Sequence, residues 1–263
     1  MGVIQNKWSI AIHGGAGTID RKSMSAVKEA EYTATLEEAI LKGEEILSPG
    51  GNAIDAVVAA ISVLEDSHLF NAGRGSVFNF KGEHEMDASL MDGQNRNAGA
   101  VACVSSIKNP IVLSKRVMEN SEHVLLSGKS AEEFAKEHDL NFENSDYFFD
   151  QFRYDQWQSV RGTDHTMLDH TDEKKFGTVG AVALDVNGNL ASGTSTGGMT
   201  NKKYGRIGDT PLIGAGTWAD NNTCAISCTG HGEYFIRWMA AYDVACLMEY
   251  KGLSIKDACS KVV

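Results

Sequence analysis

The sequence predicts a mixed α/β protein, one that two sheets packed face to face with helices outside would accommodate. Strand and helix patterns alternate up to about residue 138, give way to a polar stretch, and resume abruptly at Thr178. The helix that follows Asn52 is apolar nearly all round (Ala53, Ile54, Ala56, Val57, Val58, Ala59, Ala60, Ile61), so it needs burial between a sheet and other helices. From Thr178 the chain reads as a hairpin: Thr178, Val179, Ala181, Val182, Ala183 and Leu184 form one arm, residues 185–189 the turn, and residues 190–196 the second arm.

Residues 8–13 alternate apolar and polar and read as a strand, ending at Gly14, Gly15, Ala16 and Gly17, where backbone can approach backbone closely. This run lacks the GxxxxGK[ST] pattern of a phosphate loop. Residues 24–47 carry Val27, Ala30, Ala34, Leu36, Ile40, Leu41, Ile46 and Leu47 at helical steps, and Pro49, Gly50 and Gly51 stop that helix. Asn52 caps the next, which runs through Leu64. Residues 65–75 form a loop, either an ordinary connector or one able to aim carbonyls around a hard cation.

Residues 76–79, 85–89 and 98–105 read as strands, with a turn at Met91, Asp92 and Gly93. Asp87 and Asp92 are either an acid–base pair or, more simply, acids at hairpin corners. Asn109 and Pro110 open a helix over 111–118, and Ser130 caps another over 131–136. Residues 138–176 read as a mobile linker, aromatic in the middle and charged at its ends. Its His165 and His170 fit no standard metal-ligand spacing. Later, residues 223–229 form a strand, 233–250 a long helix, and Ser254 caps a final helix.

The 263 residues suit one large domain or two small ones. A net charge of −11 disfavours a nucleic-acid surface, which needs clustered Lys and Arg. No apolar run reaches the ~20 residues of a membrane span. The N-terminus shows no signal-peptide pattern, and cytoplasm is the expected location. The five cysteines are odd in number and form no CxxC pair, which suits buried thiols in a reducing compartment.

Threonine and glycine cluster at three strand ends: Gly177-Thr178, residues 194–198 (TSTGG) and residues 229–232 (TGHG). Hydroxyls and bare glycine amides in such places suit nucleophilic catalysis with an oxyanion hole. Thr196 and Thr229 also read as plain β-branched strand ends. Arg206 and Asp209 are either a surface ion pair or a clamp for the α-carboxylate and α-amine of an aspartyl unit.

The runs HGGAG, FGTVGAVALD, TSTGGMTNK, GRIGDTPLIGAGTWADN and SCTGHGE resemble the plant-type L-asparaginases, or isoaspartyl (β-aspartyl) aminopeptidases, which are N-terminal-nucleophile hydrolases. The resemblance runs from His13 to the last residue. It implies a four-layer αββα sandwich in one structural domain, with an α subunit (1–177, including a mobile linker from about 138) and a β subunit (178–263). It also implies self-cleavage between Gly177 and Thr178, with Thr178 as nucleophile and Thr196 hydrogen-bonded to it. Thr229 and Gly230 would form the oxyanion hole, and Arg206, Asp209, Gly232 and Asn71 would contact substrate.

The implied reactions are hydrolysis of L-asparagine and removal of N-terminal isoaspartyl residues from dipeptides. The implied partner is a second processed αβ unit. No cofactor for the chemistry is implied, but a structural sodium is, held by the main-chain carbonyls of Leu64, Glu65, Ser67, Phe70, Ala72 and Arg74. His231 departs from the small polar residue associated with its position. The family continues past the final helix with two more strands, so the expected fold lacks its C-terminal strands and leaves a sheet edge open. A glycosylasparaginase-like amidase or an inactive truncated homologue are the alternative readings; the first is usually exported.

Overall fold

The computed structural model describes residues 7–16, 24–166 and 177–262. In chain order it contains β1 (Ser9–His13), α1 (Ala26–Leu47), α2 (Ala53–Asp66), β2 (Met86–Asp92), β3 (Ala98–Val104), α3 (Pro110–Asn120), β4 (Leu125–Ser127) and α4 (Gly128–Glu137). Next come α5 (Ser145–Phe148), α6 (Gln151–Val160), β5 (Val179–Leu184), β6 (Leu190–Thr196), β7 (Thr217–Ala219), β8 (Ala225–Ser227), α7 (Gly232–Trp238), α8 (Ala240–Lys251) and α9 (Ile255–Val262).

The protein is a mixed α/β fold around a six-stranded sheet of order β1-β5-β6-β2-β3-β4. All pairs are antiparallel except β3–β4. The helix caps explain where elements begin. Asn52 Oδ1 accepts the Asp55 N–H at 2.7 Å and Ser25 Oγ accepts that of Lys28, so each satisfies an amide its helix cannot. Asp185 does the same for the β5–β6 turn, accepting the N–H groups of Asn187 and Asn189.

Strand β6 shows how one sheet serves two faces. A Cβ on Gly193 would strike Val57, Ile61 and Ile111, so that face meets α2 and α3. The alternate residues Ser192 and Thr194 hydrogen-bond Ile226 O and Gly216 O on the other side, where the two-stranded sheet β7–β8 lies. Burial on both faces explains why β2 is almost wholly buried despite carrying Asp87 and Ser89. The helix-side core is rich in alanine (Ala39, Ala56, Ala60, Ala181, Ala191), which allows close approach. Between the sheets, hydroxyls replace much of the apolar packing. Ser89 donates to Thr217, Thr217 to Thr194, and Thr194 bonds Ser227, so each buried hydroxyl is satisfied.

Beyond β7–β8, α8 and α9 pack through Val244, Ala245 and Ala258 onto Cys224, Trp218 and Ile226. Among the described residues the second sheet has two strands, short of a full layer of a four-layer sandwich. An apolar groove lies between β1, β5 and β8, lined by Ile10, Val182, Leu184, Cys224, Met248 and Ile255 among others. Among the described residues, no helix is long and apolar enough to cross a membrane. All five cysteines are free.

Several expectations need correction. Residues 138–166 are not a mobile linker. They form α5 and α6, capped by Asn144 and Asp150, and bury Phe148, Arg153 and Trp157. Trp157 stacks on Phe78 and Phe148 tilts onto His84, so the aromatic run has a docking face. The rest of the expected linker, 167–176, lies outside the described residues, as does Gly17. Residues 76–79 form only a bridge, Phe78 to His84. Strand β2 runs through Met91 and Asp92, where the sequence suggests a turn, and Ser130 lies inside α4 rather than capping it.

The expected helix 233–250 breaks at Met239, whose φ is +47°. There the first N–H groups of α8 are taken by the loop before β7: Tyr242 donates to Gly214 O at 2.8 Å and Ala241 to Ala215 O. Docking on that loop outweighs continuity of the helix.

Candidate active site

The antiparallel register of β5 and β6 pairs Val179 with Ser195. It therefore brings Thr178, just ahead of β5, beside Thr196 at the end of β6. Thr178 Oγ1 donates to Thr196 Oγ1 at 3.0 Å, and the Gly198 N–H donates to the same oxygen at 3.0 Å. Gly15 presses its backbone against Gly177 at φ +115°, leaving no room for a side chain. Gly15 of the HGGAG run thus abuts the residue before Thr178.

Gly177, Thr178, Thr196 and Gly198 line one cleft together with Asn71, Met199, Arg206, Gly208, Asp209, Thr210, Gly230 and Gly232. Asn71 holds the floor. Its Nδ2 donates to Gly198 O at 2.8 Å, its Oδ1 accepts from the Val77 N–H, and its carbonyl accepts from Gly197. The protein thus holds one amide N–H and one lone pair of Asn71, which still lines the cleft.

Asp209 Oδ2, in the cleft, and Thr229 Oγ1, on the residue before the lining Gly230, are buried and lack a hydrogen-bond partner among the described residues. Buried polar atoms are normally satisfied, so orphans at a cleft are positions a ligand can complete. Burial pushes the Asp209 carboxyl up to about 6, against the pull of its own backbone N–H and of Arg206. A Cβ on Gly232 would meet Asp209 Oδ1 at 2.8 Å and Arg206 Nη2 at 2.9 Å, so this glycine keeps a cationic and an anionic group open side by side.

Arg206 is not paired with Asp209. It makes a bidentate bond to Glu233, Nε to Oε1 and Nη2 to Oε2, both at 2.9 Å. Sequence reasoning missed Glu233, reading it as the first residue of a helix. His231 lies beside that pair, its Nδ1 2.8 Å from Glu233 Oε2, and does not line the cleft. Lys202 was also missed: it is buried, with Nζ donating to Glu85 O at 2.7 Å and packed under Gly198. Asp87 stands opposite Thr196 in the β2–β6 pairing, fully buried and accepting the Cys103 N–H, while Asp92 serves a turn by accepting the Gln94 N–H. They do not form an acid–base pair.

His13 is held neutral. Burial pushes it down to about 4; the Thr178 main chain beside it opposes the fall, although Nδ1 makes no hydrogen bond of standard geometry. Its Nε2 bonds Ser227 Oγ at 2.9 Å.

The loop after α2 packs main-chain carbonyls against two of its glycines. Gly73 has no room for a Cβ against Glu65 O, and a Cβ on Gly75 would strike Phe70 O and His68 O. The carbonyls of Leu64, Phe70 and Ala72 also accept N–H groups within the loop. The Glu65 carboxyl is buried below it, pushed up to about 8 by burial and held by Ser195 Oγ and the Ile111 N–H. Main-chain carbonyl oxygen is the donor type that a hard cation takes.

A profile of the asparaginase family matches residues 6–263. The chain belongs to the asparaginase family. An isoaspartyl peptidase of Salmonella typhimurium is 50% identical over 98% of this chain and 84% of its own length. One of Escherichia coli is also 50% identical, over 97% and 81%. A protein of Xenopus laevis described as isoaspartyl peptidase/L-asparaginase is 44% identical over 95% and 78%. The asparaginase family is therefore the frame for the cleft: a hydrolase family, a hydroxyl pair at a strand junction, and an unsatisfied carboxylate oxygen of Asp209 beside it.

Proposed function

We propose that this chain is a threonine hydrolase that cleaves itself before Thr178 and then hydrolyses L-asparagine and N-terminal β-aspartyl dipeptides. The observation that carries this reading is the Thr178–Thr196 hydroxyl pair in one cleft with Gly230 and the unpartnered Asp209 Oδ2; the buried, unpartnered Thr229 Oγ1 belongs to the residue next to Gly230. The relatives' names, isoaspartyl peptidase and L-asparaginase, support the substrate class.

In the first step Thr178 Oγ attacks the Gly177 carbonyl carbon. The C–N bond breaks, the nitrogen takes the proton, and an ester forms. Water then hydrolyses the ester, releasing the Gly177 carboxylate and the Thr178 α-amine. That amine, with an ordinary pKa of ~7.7–8.0, accepts the Oγ proton in turnover. Thr178 Oγ attacks the side-chain amide, and Thr229 Oγ–H and the Gly230 N–H receive the oxyanion. Ammonia or the dipeptide's amine leaves with a proton, and water frees aspartate. Asp209 accepts the substrate ammonium and Arg206 its carboxylate.

The mature unit has an α subunit ending at Gly177 and a β subunit starting at Thr178. It folds as a four-layer αββα sandwich and pairs with a second copy. The loop of Leu64, Glu65, Ser67, Phe70, Ala72 and Arg74 holds sodium, which stiffens the loop carrying Asn71 and takes no part in the steps above. Intact mass spectrometry over hours at neutral pH tests the reading. Two fragments, one starting at Thr178, with release of ammonia from asparagine and of aspartate from β-aspartyl dipeptides, are expected. A single uncleaved species without activity overturns it.

Asp209 sets an expected pH limb. Its carboxyl is charged only above about 6 and neutral below, so attraction for the substrate ammonium falls as pH falls through that value. KM for asparagine should rise on the acid side, and Asp209→Asn should raise KM throughout and lose the limb. A KM that is flat between about pH 7.5 and pH 5 removes Asp209 from ammonium binding.

A further inference from the structure

We propose that Glu233 is a positioning residue that makes the cleft select substrates bearing an α-carboxylate, acting through Arg206. This rests on the hydrolase reading above and adds what sets its specificity. A guanidinium has two edges that can each take a carboxylate bidentately: the side edge (Nε, Nη2) and the end edge (Nη1, Nη2). Glu233 fills the side edge with two bonds of 2.9 Å. The end edge is left facing glycines. A Cβ on Gly208 would lie 2.9 Å from Nη1, and one on Gly232 2.9 Å from Nη2. Both glycines line the cleft, so the end edge alone is presented to a ligand.

The charges explain why this matters. An unaccompanied arginine would draw any small anion. Glu233 offsets its charge, and Asp209 Oδ1 lies 2.8 Å from the same Gly232 Cβ position. Recognition then depends on geometry: a carboxylate flat against the end edge with an ammonium one carbon away. His231 Nδ1 lies 2.8 Å from Glu233 Oε2 but makes no hydrogen bond of standard geometry, so the Arg206 fork alone sets the carboxylate's register. The Glu233 side chain is 44% exposed, and ion pairs at such rims contribute little to stability. Glu233→Ala should therefore fold and mature normally, and its effect should fall on selection.

The test compares wild type, Glu233→Ala and Glu233→Gln on L-asparagine and on 3-aminopropanamide, which keeps amide and amine but lacks the carboxylate. L-Aspartate is also titrated calorimetrically, as a readout independent of turnover. In Glu233→Ala, KM for asparagine and Kd for aspartate should rise about tenfold, with kcat nearly unchanged. The preference for asparagine over 3-aminopropanamide should shrink, and Glu233→Gln, which can still accept one N–H, should lie between. Unchanged KM, Kd and preference overturn the proposal. If wild type turns over neither amide but binds aspartate in a Glu233-dependent way, the hydrolase reading fails and the role of Glu233 stands. Absence of aspartate binding by wild type overturns the proposal.

Discussion

Thr178→Ala should leave the protein as one uncleaved 28.4 kDa chain with no measurable hydrolysis. The hydroxyl that donates to Thr196 Oγ1 is the one placed next to the Gly177 carbonyl, and alanine removes it without adding bulk. The loss is complete because the same oxygen attacks in both reactions. Thermal unfolding should change little, since Thr178 is only part-buried and Thr196 keeps the Gly198 N–H as a partner. Thr178→Ser should restore cleavage, more slowly. Cleavage of Thr178→Ala at the same bond, seen by intact mass, would refute the assignment of the nucleophile.

Thr229→Val should lower kcat by roughly 10²–10³ while leaving KM and stability close to wild type. Valine copies the shape of threonine and deletes the hydroxyl. Thr229 Oγ1 is buried with no hydrogen-bond partner among the described residues, so its removal orphans no group, and stability should hold or rise slightly. An oxyanion donor works only once negative charge develops, so the loss should appear in kcat. A variant that turns over at the wild-type rate, or one that loses stability as well as rate, would show Thr229 to be a plain strand-end residue. Steady-state kinetics beside a melting curve separate these outcomes.

What could be read in advance depended on how local its cause was. The hairpin at Thr178 was legible because β-branched residues flank an Asp–Asn–Gly turn whose chemistry is contained in five residues. The helix after Asn52 was legible from its cap and its uniform apolarity. The break at Met239 was not, because methionine suits a helix and the break is imposed by carbonyls of Gly214 and Ala215 from another loop. Residues 138–166 looked like a linker because their aromatic side chains have no partners nearby in sequence; Phe78 and His84 supply them from across the fold.

The site divides in the same way. The resemblance of its motifs pointed to the asparaginase family and to Thr178, Thr196, Thr229, Arg206 and Asp209, whereas residue type alone left plain strand ends and a surface ion pair open. Folding was needed to show that Asn71 braces the cleft floor, that Arg206 answers to Glu233 rather than Asp209, and that Lys202 is buried. Those facts depend on distances between residues remote along the chain, and such distances are fixed by packing and strand register, for which a linear pattern carries no signal.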